Sequence, residues 1–538
     1  MMKKFALFLV LCAAVFGLLY GAKFCRDTFA QTDGGLAVVT VNNLGRTDGR
    51  VLEDVQRTAE AFPQFMEEMF QVKLQRPTQI WVGADTAQYQ ELLTKRLGME
   101  EKNAPQKAQY TNGQSSGRKA MVAIDGTRKK LGDSSECIST TAHELFHQLQ
   151  YELSDGRSGY ENSLFWLEEG TADYAGALLC EKLGGRSVDK WYRDARFTLQ
   201  NARNVASVGQ LQHTTEAERL DMMTTQAKHY TLADVMTMYL LKQYGGSQPE
   251  QKIVAYYKGM ERGEAEQVFA QTFGVELPAF LQEFSQWWQK ELTAPAEVDT
   301  VIRPGANEAV ARQFLQQVNL SRQWLKRNWG QDLHGHYQLV LVTSPEDFAA
   351  AMEEYCHVSR EEAKKTADGS VWAENNSTVF VNLARVEDKR QAIFVSGTMM
   401  SRLFMMQQLG NDSSGMAWLL RGGSYVAGVG RLVDDGQGTL PAYQKAWRKE
   451  LRQNAPLPAV DKLQTPEELQ TAMNQYGNDQ VSRLCEYAAA ELVNRYGWAS
   501  LYAWQTATRQ SGDGRQAFSK VFGLTLADFA AQIHLMIY

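Results

Sequence analysis

Cysteine is scarce in this sequence of 538 residues, which contains six in all. Four of them follow residue 30, and no two form a Cys-x-x-Cys pair; they are Cys137, Cys180, Cys356 and Cys485. Their wide spacing excludes a disulfide scaffold and a cysteine-based zinc site. One or two disulfide bridges and buried free thiols both remain open for these residues.

The chain also lacks an excess of positive charge. Its 56 Lys and Arg residues face 62 Asp and Glu residues, which gives a formal net charge of −6. There is no basic stripe and no arginine-rich run of the kind that binds phosphate backbones. Nucleic acid is therefore not expected as a partner.

Length and composition indicate a folded protein of more than one domain. The sequence is 44% hydrophobic and 22% charged, as in ordinary globular proteins. A chain of 538 residues is too long for a single hydrophobic core. We therefore expect two or more domains.

The first thirty residues resemble an export segment. A short basic stretch, MMKK, precedes the apolar segment Phe5–Ala22. Cleavage after Ala30 would make residues 1–30 a signal peptide, whereas an uncleaved segment would anchor the protein in a membrane. The protein is therefore predicted to be extracytoplasmic: secreted, periplasmic or membrane-anchored by this segment.

The sequence repeats itself after about 250 residues. Five segments of the first half are echoed in the same order: MVAIDG by TVFVNL, HELFHQLQ by SRLFMMQQ, FWLEEGTADYAGALL by AWLLRGGSYVAGVGR, YLLKQYGG by ELVNRYGW, and FAQTFGVELPAFLQEF by FSKVFGLTLADFAAQI. Such a regular offset indicates a tandem duplication. We predict α+β domains at 31–292 and 310–538, each a small sheet followed by a helix-dominated half, joined by a linker at 293–309.

The first copy contains a metal-binding pattern, His143-Glu144-x-x-His147. In a helix both imidazoles lie on one face and can reach one metal ion. A catalytic zinc needs a third protein ligand, and Glu169 in WLEEGTADY is the best candidate. Asp173 lies one helical turn further, where its carboxylate can orient a ligand imidazole. The alternatives are an ordinary helix with two surface histidines and solvated acids at a helix start.

These two motifs resemble those of the gluzincin peptidases, thermolysin and the aminopeptidase N family among them, and most closely the peptidase MA-like families. The resemblance covers roughly residues 75–290. It implies two tandem zincin-like, thermolysin-like domains, a Zn²⁺ cofactor, His143, His147 and Glu169 as ligands, Glu144 as general base, and Asp173 as a partner of His143. The implied reaction is peptide hydrolysis by a zinc-activated water.

A donor for the developing oxyanion is the remaining requirement. The aminopeptidase family places a catalytic Tyr at the start of a helix like that of HYTLADVMTMYL, which implies Tyr230. His229 is the other candidate, and a Tyr that merely packs at a helix start is the alternative.

One motif departs from the aminopeptidase pattern. RKAMVAIDG has Ala120-Met121 but lacks the Glu-Asn that would bind a substrate amino terminus. The resemblance therefore favours an endopeptidase over an aminopeptidase. We expect the strand around residues 120–125 to present a sheet edge to an extended peptide.

The second copy has lost these residues. The positions of His143, Glu144, His147, Glu169, Asp173 and Tyr230 are occupied there, in that order, by Ser401, Arg402, Met405, Arg421, Tyr425 and Ser482. The two arginines would repel a divalent cation. The methionines at 399, 400, 405 and 406 suit core packing better than a soft-metal site.

The sequence thus predicts an exported zinc metallopeptidase that acts on a peptide or protein substrate and carries a catalytically dead second copy. The alternative is a peptide-binding or assembly protein whose metal site is vestigial or structural. An intact Glu144 favours the enzyme, because a structural zinc site needs no general base. The sequence leaves the substrate and the oligomeric state open.

Overall fold

A computed structural model describes residues 37–127, 131–159, 162–202, 204–225, 227–409, 416–453 and 456–538. The segment 1–30, predicted as a signal peptide or anchor, lies outside the described residues. Within the described ranges no single helix is long and apolar enough to cross a membrane. One helix pair bent by 71°, Gly514–Phe522 with Leu526–Ile537, meets the length and composition criteria only when both members are taken together.

The first half of the chain forms a four-stranded sheet. Its strands are β1 (Val39–Asn43), β2 (Thr78–Gly83), β3 (Gly113–Ser116) and β4 (Met121–Asp125). The order is β1-β2-β4-β3, with β1, β2 and β4 parallel and β3 antiparallel at the edge. Apolar side chains of β2 and β4, such as Ile80 and Val122, are fully buried. Covered parallel strands of this kind are typical of mixed α/β folds.

Helices occupy most of the remaining first half. Within the described residues its α-helices are α1 (Gly49–Phe65), α2 (Thr86–Glu91), α3 (Ala104–Tyr110), α4 (Ser134–Leu153), α5 (Phe165–Lys182), α6 (Val188–Asn201), α7 (Glu216–Thr224), α8 (His229–Tyr244), α9 (Pro249–Met260), α10 (Ala265–Phe273) and α11 (Leu277–Thr293).

Helices α4, α5 and α8 form the tightly packed centre of this half. Helix α4 begins after Asp133, whose carboxylate accepts a hydrogen bond from the backbone N–H of Glu136. A Cβ atom at Gly170 of α5 would lie 2.2 Å from Oγ1 of Thr237 on α8, and one at Gly176 would lie 2.6 Å from the carbonyl oxygen of Ser139 on α4. Only glycine permits these approaches. Side chains between the three helices are therefore held close together.

The second half repeats this plan. Its strands are β5 (Glu297–Ile302), β6 (His336–Val342), β7 (Trp372–Asn375) and β8 (Thr378–Asn382), in the order β5-β6-β8-β7. As in the first sheet, three strands are parallel and the edge strand β7 is antiparallel. Strands β1 and β5 begin at Val39 and Glu297, and β2 and β6 begin at Thr78 and His336, so both pairs are 258 residues apart.

Among the described residues, the helices of the second half follow the same order relative to the strands. They are α12 (Glu308–Trp329), α13 (Pro345–Cys356), α14 (Arg360–Gly369), α15 (Lys389–Leu409), α16 (Ala417–Asp434), α17 (Leu440–Gln453), α18 (Pro466–Tyr476), α19 (Asn478–Tyr496), α20 (Trp498–Ser511), α21 (Gly514–Phe522) and α22 (Leu526–Ile537).

The two central glycines are repeated as well. A Cβ atom at Gly422 of α16 would lie 2.2 Å from the carbonyl oxygen of Cys485 on α19. One at Gly428 would lie 2.3 Å from Oγ1 of Thr398 on α15. The glycines shared by the two motif copies therefore have a packing role in each half, independent of any chemistry.

The segment 293–309, predicted as a linker, contains strand β5. This strand pairs in parallel with β6 from Glu297 to Ile302. Only Val298 and Val301 of β5 are half-buried, and they are three residues apart rather than two. A mostly exposed edge strand lacks the apolar alternation by which strands are detected in sequence. The second unit therefore begins before residue 297.

The sulfur-containing side chains lie in the core. The four cysteines after residue 30 are free and buried, so the alternative of disulfide bridges does not hold in this structure. Met399, Met400 and Met405 are at most 1% exposed and pack with Phe404 in the core of the second half. This is the packing role that their spacing predicts.

Helix α6 joins the two halves. Its residue Phe197 belongs to the core of the second half, where its ring packs edge-on against Tyr337 with centroids 5.8 Å apart. On the same side of α6, Arg193 donates a hydrogen bond of 3.2 Å from Nη2 to Oε1 of Gln338. Trp191, on the opposite side, belongs to the core of the first half. The helix is thus a shared wall between the two units.

We predict that Phe197→Ala destabilises the protein by about 3–5 kcal/mol, the usual cost of removing a buried aromatic ring. The second half loses core volume although Phe197 lies in the first half of the sequence. Urea unfolding followed by tryptophan fluorescence measures this loss. Leu535→Ala, at a side chain that is 75% exposed, is the matched control. A loss below about 1 kcal/mol for Phe197→Ala would contradict the shared core.

Candidate metal centre

Three side chains converge at the centre of the first half. His143 and His147 lie one turn apart on α4, and their Nε2 atoms are 3.0 Å from each other. The Oε2 atom of Glu169 on α5 lies 3.4 Å from each of these nitrogens. Among the described residues, these three form the one group of His, Cys, Asp or Glu side chains that can hold a metal ion in common.

The spacing of these ligand atoms fits zinc. Zinc–ligand bonds of about 2.05 Å at tetrahedral angles place neighbouring ligand atoms roughly 3.3 Å apart. Two imidazole nitrogens and one carboxylate oxygen are a usual donor set for catalytic zinc. The structure thus brings together the three predicted ligands in an arrangement that zinc can use.

Each imidazole is oriented through its other nitrogen. Nδ1 of His143 lies 2.8 Å from Oδ1 of Asp173, the partner that the motif resemblance implies. Nδ1 of His147 lies 2.7 Å from Oε1 of Gln150. Hydrogen bonds of this kind fix the tautomer that leaves Nε2 free for a metal.

Gln150 was missed in the sequence, although its position three residues after His147 on the same helical face is a readable signal. Its side chain is 1% exposed. Three oxygens lie 2.9–3.0 Å from Nε2 and share its two hydrogens: the backbone oxygen of Glu168, Oγ1 of Thr171 and the hydroxyl of Tyr257. These bonds fix the amide, so Oε1 faces His147 as an acceptor.

Arg219 on α7 holds the third ligand in place. Its Nη1 donates to Oε1 of Glu169 at 3.1 Å, while Nη2 donates to Oε2 of Glu168 at 2.9 Å. Burial disfavours a charged Glu169, but His147 and then His143 outweigh this effect and hold the pKa of Glu169 well below its usual range. No local sequence pattern marks Arg219, because it lies 50 residues from the carboxylate that it binds.

Glu144, the predicted general base, is buried beside the ligands. It is 6% exposed, and its Oε2 atom has no hydrogen-bond partner among the described residues. Burial raises the pKa of its carboxyl group. A Cβ atom at Gly113 on β3 would lie 2.7 Å from Cγ of Glu144, so this glycine makes room for the carboxylate. A buried acceptor without a partner can take a proton from a bound molecule.

Tyr230 lies in the first turn of α8 and lines the same cleft. Burial, and then the Glu169 carboxylate, raise the pKa of its phenol well above the usual value, so it remains a neutral hydrogen-bond donor. His229, the other candidate, is 4% exposed, has no hydrogen-bond partner among the described residues and does not line the cleft. Burial lowers the pKa of His229 to about 4.

A second acidic side chain, Asp234 on α8, is buried next to Asp173. It is 7% exposed. Burial, and then the neighbouring Asp173 carboxylate, raise the pKa of Asp234 well above its usual value. A protonated Asp234 can donate to Asp173, which in turn accepts from His143. The signal in the sequence is a lone acid in the apolar run of α8, which sequence reasoning did not use.

The three candidate ligands, Glu144 and Tyr230 line one cleft of about 430 Å³. Its walls include Lys107, Gly113, Gln114, His143, Glu144, His147, Glu169, Asp173, Asp194, Thr198, Arg219, Tyr230 and Asp234 from the first half, and Asn376 from the second.

The expectation that the strand around 120–125 offers a free edge was wrong. Strand β4 pairs with β2 on one side and β3 on the other. Strand β3 is the edge, and its residues Gly113 and Gln114 line the cleft. Sequence reasoning missed β3 because this short segment, GQSS, has no apolar alternation.

The corresponding region of the second half is filled by its own side chains. Arg421 donates from Nε and Nη2 to Oγ of Ser482, at 3.1 and 3.0 Å. Arg402 donates to Oε1 of Glu374 at 3.1 Å, and Met405 is fully buried. The residues aligned with Glu169 and Tyr230 thus contact each other directly, which gives a packed contact in place of a ligand set.

Comparisons of the chain with models of known protein families and with curated proteins returned no match. The assignment of the site therefore depends on its geometry and on the motif resemblance.

We predict that Asp173→Ala lowers the affinity for Zn²⁺ by about 10- to 100-fold, because the His143 imidazole loses the bond that orients it. Competition with a chromophoric chelator measures the affinity. Asp221→Ala, at an exposed carboxylate on α7, should leave it unchanged. Equal affinities for the two variants would show that Asp173 does not support a ligand.

Proposed function

We propose that this protein is a zinc metallopeptidase of the gluzincin type, built from two tandem zincin-like units of which the first is catalytic. One observation carries the proposal. The Nε2 atoms of His143 and His147 and Oε2 of Glu169 converge within ligand distance. Oε2 of Glu144, which has no hydrogen-bond partner among the described residues, lies in the same cleft. Three ligands and an adjacent base are what hydrolysis requires, whereas a structural site would need only ligands.

His143, His147 and Glu169 would hold the ion. Zinc in such a site acts as a Lewis acid and lowers the pKa of a water toward neutrality. Glu144 accepts the proton of the attacking water at Oε2 and later donates it to the leaving amine. The ligand side chains are held in position by hydrogen bonds with Asp173, Gln150 and Arg219.

Tyr230 is the proposed oxyanion donor. Its neutral phenol lines the cleft that contains Glu144 and the ligands. A donor positioned for the tetrahedral oxyanion stabilises the transition state more than the ground state.

The proposed substrate is an extended peptide, cleaved internally. Among the described strands β3 pairs with β4 alone, so its other edge is the one proposed to pair with such a chain at the cleft. The export-like segment Phe5–Ala22 supports action outside the cytoplasm. The second unit is proposed to be a degenerate copy without catalysis.

We expect Glu144→Gln to retain stoichiometric zinc and to lose about 10²- to 10⁴-fold in kcat on an unbiased peptide library, since proton transfer is removed while the ligands remain. Mass-spectrometric cleavage profiling together with metal analysis provides the measurement. Glu101→Gln, at an exposed position, is the control. A wild-type protein without zinc, or a Glu144→Gln variant that cleaves as the wild type does, would overturn the proposal in favour of a binding or assembly protein.

A second test concerns Tyr230. Tyr230→Phe removes only the hydroxyl, and kcat should fall about 10²- to 10³-fold with little change in KM. Tyr174→Phe is the control, because the Tyr174 hydroxyl bonds Glu250 at 2.7 Å and does not line the cleft. Steady-state kinetics on one cleaved peptide distinguishes the two. An unchanged kcat for Tyr230→Phe would assign the oxyanion to another donor.

A further inference from the structure

A hairpin of the second half reaches the cleft of the first. Strands β7 and β8 are joined by a two-residue turn, Asn376-Ser377, since Asn375 and Thr378 are still paired. Asn376 has a φ of 50°, in the left-handed region that Asn tolerates better than most side chains. The turn therefore presents the Asn376 side chain at the tip of the hairpin.

The turn is fastened to helix α6 by its buried second residue. Ser377 is 0% exposed, and its Oγ donates to Oδ1 of Asp194 at 2.7 Å. Nε of Arg193 donates to Oγ of Ser377 at 3.2 Å. Asp194 is itself paired with the buried Lys190 at 2.8 Å. These buried hydrogen bonds and the Lys190–Asp194 ion pair fix the position of the hairpin tip.

Asn376 is exposed, yet it lines the cleft that holds the candidate ligands. It is the one described lining residue that comes from the second half. Asp194 and Thr198 of α6 line the same cleft. The face of α6 that bears Phe197 is meanwhile buried in the second half, so the hairpin and α6 form one rigid wall.

The chemistry of this wall suits a peptide. A primary amide offers two donors and an acceptor, which match the carbonyl and N–H groups of a peptide or an uncharged polar side chain. Strand β3, the proposed pairing edge for a peptide, lines the same cleft as this wall.

We propose that Asn376 is a substrate-positioning residue, by which the catalytically dead unit builds a specificity subsite for the catalytic one. This inference rests on the proposed peptidase function. The Asn376 amide binds the peptide on the side of the cleft walled by α6. It contributes to substrate affinity and to the choice of side chain at that subsite, and not to the chemical step.

The test uses the full-length, zinc-loaded protein with Asn376→Gly, which removes the amide and retains a residue suited to a positive φ. We expect KM to rise about three- to tenfold, the worth of one or two hydrogen bonds, with kcat within twofold and zinc content unchanged. Asn375→Ala is the matched control, because this neighbouring Asn of the same hairpin does not line the cleft.

A second variant gives a readout that a structural role would not produce. Asn376→Asp keeps the size of the side chain and adds a negative charge. Profiling on the peptide library should show a shift toward Lys or Arg at one substrate position, with zinc content and thermal unfolding unchanged. This shift should be absent in Asn375→Ala.

The outcomes separate this inference from the function that it assumes. If the wild-type protein cleaves peptides and both Asn376 variants match it in KM and in residue preference, the inference is overturned and the peptidase function stands. If the zinc-loaded wild type cleaves nothing, the proposed function and the subsite are both overturned.

Discussion

The carboxylate of Glu169 is the contact on which the site depends. One of its oxygens faces both imidazoles, and the other accepts from Arg219. A carboxylate buried to this degree is tolerated only when positive or hydrogen-bonding groups surround it. Gly170, the next residue, lets α5 lie against α8, and Gly176 lets it lie against α4. Because Glu169 and Gly170 are neighbours on α5, the electrostatics of the site and the close packing of α4, α5 and α8 depend on each other.

The fold could be predicted where sequence carries strong periodicity. The repeated helices were found through motifs such as Trp166-Leu167 and Trp418-Leu419, which are buried in both halves. The edge strands were missed, since β3 and β5 are held by backbone pairing to one neighbour and bury little side-chain surface. Backbone hydrogen bonds are the same for every sequence, so they leave no pattern to read.

The candidate site shows the same contrast between residues that a sequence pattern reveals and residues that only tertiary packing places. His143, Glu144, His147, Glu169, Asp173 and Tyr230 were named from the sequence, and the structure brings all six to one cleft. Those on α4 and α5 were readable because helical spacing fixes which side chains share a face. Arg219 and Asn376 were not, because they arrive from distant elements and only the packing of α7 and of the β7–β8 hairpin places them there. Tertiary contacts of this kind have no local signature.

Helix α6 gives the second unit a structural role in the whole chain. A repeat that packs only at its ends can be lost by deletion at little cost to its neighbour. Phe197 belongs to one unit by sequence and to the other by packing, so removing the second unit would strip an apolar face of the first. Substitutions in the second unit at the positions aligned with His143, Glu144 and His147 carry no such penalty. The second unit can thus vary at individual side chains, whereas its removal would expose the face of α6 that bears Phe197.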